Sequence, residues 1–471
     1  MDRPLAAHGI PQVHLNATAA DATRTERTSQ AATRNASAAR PKRIRSAALA
    51  CRLSFLAIAL GAIAGHAEAA ARFGEVVRIS GGDLEAFHGC RIDRLALLVC
   101  AQASCRPIPF QIDARDAAGN WVLDQVPARI ADDNAAVLDG NSLLLFMAED
   151  AGARAHRTDL PSASAAEIQV QDPDSESTRW AYLVEFPAAA PRSQVSYVHY
   201  NASLDRARGE RIGLGFSDGI PDYLALAPEG AAAPDGPNLL DRLKIRATAT
   251  FLWGWIRFSR DESGLRTESV AWRQGPIRVV RIQRQWIHIG WGIRSPTFVS
   301  STYFYRDFAE MQVRLRLNFP PTYFFSDIIV RAILDFRDLA GWSLLTPSMS
   351  RAFPIDGSPA QAHAAINTST DPWFALAGPR ITLAQSMSAS PSLATVRRRL
   401  LYRQSRKGFP PEAVPGEQPG IGFVWDRWEH VAAGTHALES RSFALPADVD
   451  VRAFMAARNR ALQVTVQPPG D

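Results

Sequence analysis

The chain has 471 residues, of which 46% are hydrophobic and 21% charged, with a formal net charge of +5 and a pI near 9.2. Residues 1–69 hold nine basic side chains against four acidic ones. That surplus equals the whole excess, so the remainder is formally neutral and lacks the basic footprint of a nucleic-acid binder.

Residues 1–39 are polar and rich in Ala and Thr, the composition of a disordered or over-extended N-terminus. Residues 40–69 read as a signal peptide. Arg40, Lys42, Arg43 and Arg45 form its basic region, Leu53–Gly65 its apolar core, and Ala67-Glu68-Ala69 the small residues of a cleavage site. That core is short of the ~20 apolar residues a membrane span needs. The expectation is a periplasmic or extracellular protein with no transmembrane span in the mature chain. Export permits disulfides. Leu95–Cys100 and Cys105–Ile112 read as two strands, so a Cys100–Cys105 bridge would clamp a hairpin and leave Cys90 as the odd thiol.

Residues 73–205 carry short strand-like runs, among them Glu75–Ser80, Ser142–Ala148 and Ala181–Phe186, separated by turn-rich stretches. The Gly-, Pro- and Ala-rich stretch 206–241 reads as a linker or long loop. A large β-sandwich domain is predicted over 242–471. Within it Met311, Val313, Leu315, Leu317 and Phe319 alternate with Gln312, Arg314, Arg316 and Asn318, the period of a half-buried strand. Ile277–Ile289 and Thr297–Phe308 are also strand-like. In the first, apolar parity switches between Val280 and Ile282 and the later Ile287 and Ile289, which predicts a bulge. A helix is predicted at about 448–460, capped by Asp448 or Asp450. Leu462–Val466 reads as a final strand.

No P-loop, dinucleotide fingerprint, His-Glu-x-x-His or Gly-x-Ser-x-Gly is present. Asp113, Asp116 and Asn120, with Asp132, Asp133 and Asp139, offer oxygen ligands of the kind calcium takes. Their spacing is not that of an EF-hand, and Asp, Asn and Gly are ordinary turn formers. The turn reading is preferred, and no metal or other cofactor is expected. The sharper candidate is a ligand-binding face. Arg284, Trp286 and His288 share one side of their strand, and Tyr303 and Tyr305 share one side of the next. Aromatic rings stack on sugar C–H surfaces, arginine pairs with a uronate carboxylate, and Tyr and His can exchange protons beside it. Packing between sheets is the competing reading. The aromatic loop from Phe319 to Phe325 would serve an apolar ligand or a membrane surface if exposed; a buried crossover is the favoured expectation.

Two stretches look familiar. Pro107-Ile108-Pro109-Phe110-Gln111-Ile112-Asp113, followed by Asp139-Gly140-Asn141-Ser142-Leu143-Leu144-Leu145-Phe146, resembles the N-terminal β-sandwich of uncharacterised secreted proteins related to polysaccharide lyases. Those have a Pro-x-Gln-x-Asp strand and then Asp-Glu-Leu-x-Phe; here Asn141-Ser142 replaces the Asp-Glu pair. Gly275-Pro276-Ile277-Arg278-Val279-Val280 resembles the opening of their supersandwich, and Gly420-Ile421-Gly422 and Gly434-Thr435-His436 are similar to its closing strands. The resemblance implies an all-β fold, a small N-terminal β-sandwich followed by a large antiparallel β-supersandwich, with one short C-terminal helix expected. It also implies an exported carbohydrate-active protein of the cell envelope with an acidic polysaccharide as its partner, and carries over no catalytic residue. Two other classes stay open: a non-catalytic carbohydrate-binding or envelope scaffold protein, and an apolar-ligand or membrane-surface binder.

Overall fold

The computed structural model describes residues 74–469 apart from 102–103, 117–118, 125–136, 163, 176, 229–235, 253–254, 291, 338, 356–365 and 406–416. The signal segment at 40–69, Asp132 and Asp133 therefore lie outside the described residues. The fold is all-β. Its first strands are β1 (Val76–Ser80), β2 (Leu95–Ala101), β3 (Ser104–Pro107), β4 (Gln111–Asp113), β5 (Leu143–Met147), β6 (Ala165–Gln171) and β7 (Thr178–Glu185). A sheet of order β1-β5-β4 faces a second containing β6-β7-β2-β3, and Val77, Leu97, Phe146 and Leu183 meet in one core between them. The run Cys105–Ile112 divides: Pro107 and Pro109 lack ladder donors, and the chain changes sheets between them. Cys100 lies opposite Cys105 across the hairpin, and the two are bridged.

The stretch 206–241, expected as a linker or long loop, carries strands on either side of its undescribed residues 229–235. After β8 (His199–Asn201) come β9 (Arg206–Arg208), β10 (Ile212–Ser217) and β11 (Ile220–Leu226), an antiparallel set in the order β11-β10-β9-β8. Its turn residues belong to a tight hairpin: Asp218 and Gly219 both have positive φ, at 50° and 79°, as a type I′ turn requires.

The large sandwich is built from β12 (Leu240–Phe251), β13 (Ile256–Asp261), β14 (Leu265–Gln274), β15 (Val279–Gly290), β16 (Ile293–Arg294), β17 (Phe298–Phe304), β18 (Phe308–Leu317), β19 (Phe325–Phe336), β20 (Ser343–Leu345), β21 (Phe353–Pro354), β22 (Trp373–Ala377), β23 (Ile381–Ala389), β24 (Arg397–Ser405), β25 (Glu417–Asp426) and β26 (Gly434–Pro446). A five-stranded sheet, β13-β12-β19-β25-β24, opposes a ten-stranded one, β14-β15-β17-β18-β26-β23-β22-β20-β21 with β16 on β15. Helix α1 (Val451–Ala457) starts at Asp450, whose carboxylate accepts from the Arg452 and Ala453 N–H groups. Beyond it, β27 (Gln463–Gln467) pairs with β6, so the end of the chain completes a sheet of the N-terminal sandwich.

No bulge falls in β15 between Val280 and Ile287. Its register against β17 is unbroken from Val279↔Phe304 to Gln285↔Phe298, and the irregularities lie in β14, between Thr267 and Ser269, and at the end of β15, between His288 and Gly290. The parity switch has another cause. Val280 is buried on the outer face with Trp121 and Tyr303, while Arg281, Gln283 and Gln285 are buried on the inner face, where the Asp218-Gly219 turn docks. Arg281 Nε donates to Asp205 Oδ1 at 2.6 Å, and Gln283 and Gln285 donate to the Gly219 carbonyl at 3.0 and 3.2 Å. A Cβ at position 219 would stand 2.2 Å from Thr267 Oγ1, so only glycine fits. The loop expected as a buried crossover is instead at the surface, with Phe319, Tyr323 and Phe324 exposed.

Candidate functional site

The register puts all five predicted site residues on the outer face of the ten-stranded sheet. Tyr303 stands opposite Val280, on the same side as Arg284, Trp286 and His288, and Tyr305 keeps that parity. Their surroundings separate them into two groups. Tyr303 and Tyr305 are buried where the N-terminal sandwich covers the sheet. Trp121 Nε1 donates to Tyr303 Oη at 3.0 Å, and Tyr305 Oη accepts from Arg78 at 3.0 Å and from Arg278 at 3.1 Å.

The two familiar sequence stretches meet at this joint. Gln111 Oε1 accepts from the Ile277 and Arg278 N–H groups at 3.1 and 2.9 Å, and Arg278 Nε donates to Asp113 Oδ2 at 2.8 Å. A Cβ on Gly275 would fall 2.2 Å from the Gln111 side chain. Burial works to lower the Arg278 pKa, but Tyr305 and Asp113 outweigh it and hold the guanidinium above its ordinary range. Asp113 thus serves as an interdomain clasp. Asp116 and Asp139 accept from the backbone N–H groups of Asn120 and Asn141, the usual work of turn residues. Among the described residues no three His, Cys, Asp or Glu side chains are grouped to hold a metal ion.

At the open end, Arg284 and His288 are exposed and Trp286 is half-buried. The Arg294 guanidinium lies 5.7 Å from the centre of the Trp286 ring, and Arg266 pairs with Trp286 in register. Arg314 shares a row with Arg284 through Val299, and Arg316 follows two residues on. All five arginines are exposed. Glu268 lies 3.7 Å from Arg284 and 3.5 Å from Arg294. Arg314 and Arg316 belong to the site although sequence reasoning read them only as the wetted side of a strand; their i, i+2 repeat was the available signal.

Between the covered and open ends sits a carboxylate pair the sequence did not reveal. Gln312 Nε2 donates to Glu310 Oε1 at 2.9 Å and to Glu439 Oε2 at 3.3 Å. Arg441 lies 3.4 Å from Glu310 and 2.6 Å from Glu439. Burial, and then the charge of Glu310, pushes the Glu439 carboxyl above its ordinary pKa. A cleft of about 250 Å³ beside the pair is bordered by Arg78, Glu310, Arg441 and Arg458.

No family model and no curated protein matches the chain. Among solved structures it is similar to an alpha-mannosidase from Enterococcus faecalis V583, at 8% identity and a TM-score of 0.45, over 85% of this chain and 45% of that one. The chain therefore spans less than half the length of that structure, and a likeness this distant decides nothing about chemistry.

Proposed function

We propose that the protein is exported and binds an acidic polysaccharide across the open end of the ten-stranded sheet. The observation that carries this reading is the exposed set of Arg266, Arg284, Arg294, Arg314 and Arg316 around Trp286. Arg284 and Arg314 stand two strands apart, about 10 Å, a spacing on the scale of an acidic disaccharide. Guanidinium groups grip carboxylates bidentately, and an indole face packs on sugar C–H groups. Each exposed contact is weak and screened by salt, so affinity arises from repetition along the polymer.

Affinity electrophoresis in polygalacturonate and in neutral dextran tests the reading. Retardation is expected only with polygalacturonate, and it should fall as salt is raised. Trp286→Ala should lose about 1–3 kcal/mol of binding with little change in thermal stability. Equal behaviour in the two polymers, or undiminished binding by an Arg284→Ala, Arg314→Ala, Arg316→Ala triple variant, would sink the idea. For export, the N-terminus of protein recovered from the periplasm or medium should lie near Ala70; a chain still starting before Arg52 contradicts it.

A second reading, cleavage of the bound polymer, is favoured by Glu439 alone. A carboxyl that burial and a neighbouring carboxylate keep protonated more readily suits a general acid. Glu439→Gln should then abolish product release while polygalacturonate binding persists. Release of no product from any uronate polymer by the unaltered protein rejects cleavage and leaves binding.

A further inference from the structure

The inner faces of the two large sheets close on each other over only part of their width: Phe336 and Phe423 of one meet Phe374, Leu376 and Leu383 of the other in a buried core, and beside it the sheets stay apart. Val313 and Leu315 of β18 point inward, as do Ile245 of β12 and Val330 and Ala332 of β19, yet all five keep accessible surface. The space between them is a cavity of about 430 Å³ with an overwhelmingly apolar wall. It spans five neighbouring strands of the ten-stranded sheet, from Gln283 of β15 to Gln385 of β23. The wall runs from Ala309 to Leu317 on one sheet and from Ile328 to Leu334 on the other, roughly 20–27 Å at ~3.4 Å per residue. At about 30 Å³ per water-sized group the volume holds on the order of 14 such groups, the bulk of one long acyl chain.

Four polar atoms on this wall have no hydrogen-bond partner among the described residues: Thr302 Oγ1, Gln385 Oε1, Trp425 Nε1 and Trp428 Nε1. Thr302, Gln385 and Trp425 are only 0%, 9% and 4% exposed. An unmet buried polar group is costly, and a ligand oxygen would relieve the donors among these four, the two indole N–H groups and the Thr302 hydroxyl. The two indole N–H groups are donors, suited to a carbonyl or carboxylate oxygen. Trp428 also marks the end of the cavity that reaches the surface. Its neighbour Glu429 accepts from the Ile328 N–H at 2.9 Å, and the wall there includes Leu317 and Pro321, which flank Phe319. Phe319, Tyr323 and Phe324 are exposed beside that end. Trp255, 87% exposed, joins them through the hairpin whose Leu252 N–H donates to the Phe324 carbonyl.

We infer that the cavity between the large sheets binds one long acyl chain, its carbonyl end held by the Trp425 and Trp428 N–H groups near the aromatic mouth. An apolar space of this volume and length fits one polymethylene chain. The polar atoms at its wall distinguish an acyl chain from a plain hydrocarbon. A free fatty acid and a membrane lipid share this chemistry. The site is separate from the polysaccharide face, which lies on the other side of the ten-stranded sheet.

The mature protein titrated with brominated hexadecanoate should show saturable quenching of tryptophan fluorescence, with displacement by hexadecanoate stronger than by octanoate. Val313→Trp and Ala332→Trp, which fill the slot, should weaken binding at least ~10-fold by steric exclusion while polygalacturonate binding is unchanged. Absence of saturable binding by the unaltered protein, or undiminished binding by both filled variants, overturns the inference. Should either filled variant fail to fold, the chain-length series on the unaltered protein decides: equal displacement by octanoate and hexadecanoate rejects the slot. The source is separated by Trp255→Ser with Phe324→Ser. Slower extraction from phosphatidylglycerol vesicles, with uptake of free hexadecanoate unchanged, supports the inference with a lipid as donor; equal loss or no loss in both supports it with the free acid.

Discussion

Both sandwiches turn apolar side chains inward from opposing sheets, but the large one closes over only part of its width. In the N-terminal sandwich Leu97, Phe146 and Leu183 are fully buried by the opposing sheet. In the large one Val313, Leu315, Val330 and Ala332 point inward just as regularly and remain partly open. Two features account for the difference. A ten-stranded sheet accumulates far more twist than the five-stranded sheet opposite it, so the two cannot stay face to face along their whole width. The docked Asp218-Gly219 turn, with Arg281, Gln283 and Gln285 around it, also places a hydrogen-bonded polar wedge between the sheets. Burial of an inward side chain therefore depends on what its sheet meets, and patterning alone does not ensure it.

The largest effect is expected at the joint between the two regions. Arg278→Ala leaves Asp113 buried without its closest guanidinium and frees Tyr305 Oη from one donor. Removing one member of a buried pair costs about 3–5 kcal/mol, so urea unfolding should show a midpoint lowered accordingly, with the N-terminal sandwich released first. A loss below about 1 kcal/mol would mean that the clasp is not what holds the sandwiches together.

Next in size is the contrast between the two interiors themselves. Leu183→Ala in the closed core should cost about 2–5 kcal/mol, through lost transfer energy and a cavity that cannot collapse. Val313→Ala, which enlarges a space already present, should cost under ~1 kcal/mol, because little burial is lost. Equal losses in thermal or urea unfolding would show that the large sandwich is packed after all.

The strands were legible because their signal is local. The β18 alternation follows directly from period two, and β2 and β5 stand out as short apolar runs buried on both faces. The pairing of β27 with β6 was not legible, because nothing in Gln463–Gln467 names a partner some 300 residues earlier. In the stretch 206–241, Gly219 marks a tight hairpin as well as it would mark a linker. Arg284, Trp286 and His288 were placed on one face by parity, and that parity holds through the register. Tyr303 and Tyr305 share the face, but parity cannot foresee a second domain resting on them. Glu310 and Glu439 are far apart in sequence and meet only because β18 pairs with β26. The motif residues Gln111 and Asp113 stood out without their role being readable, since their partners Ile277 and Arg278 lie in another domain.

The smallest perturbation compares the two interiors by thiol chemistry and leaves stability untouched. Cys90 packs against the closed N-terminal core, and burial, followed by its hydrogen bond with Glu185, pushes its pKa up to about 11. The thiolate is the reactive form, and an ordinary thiol titrates near 8.5. At pH 8 Cys90 should therefore be alkylated by iodoacetamide roughly a hundredfold more slowly than a free thiol, with its rate still rising above pH 9. A Val313→Cys thiol in a Cys90→Ser background faces the open cavity and should react far faster at the same pH. The Cys100–Cys105 bridge removes the other two described cysteines from the comparison. Mass-spectrometric rates at pH 8 decide it. A Val313→Cys thiol as sluggish as Cys90 would mean that the large sheets close in solution and would end the contrast; a Cys90 as fast as a free thiol would mean that the N-terminal core opens as readily as the cavity.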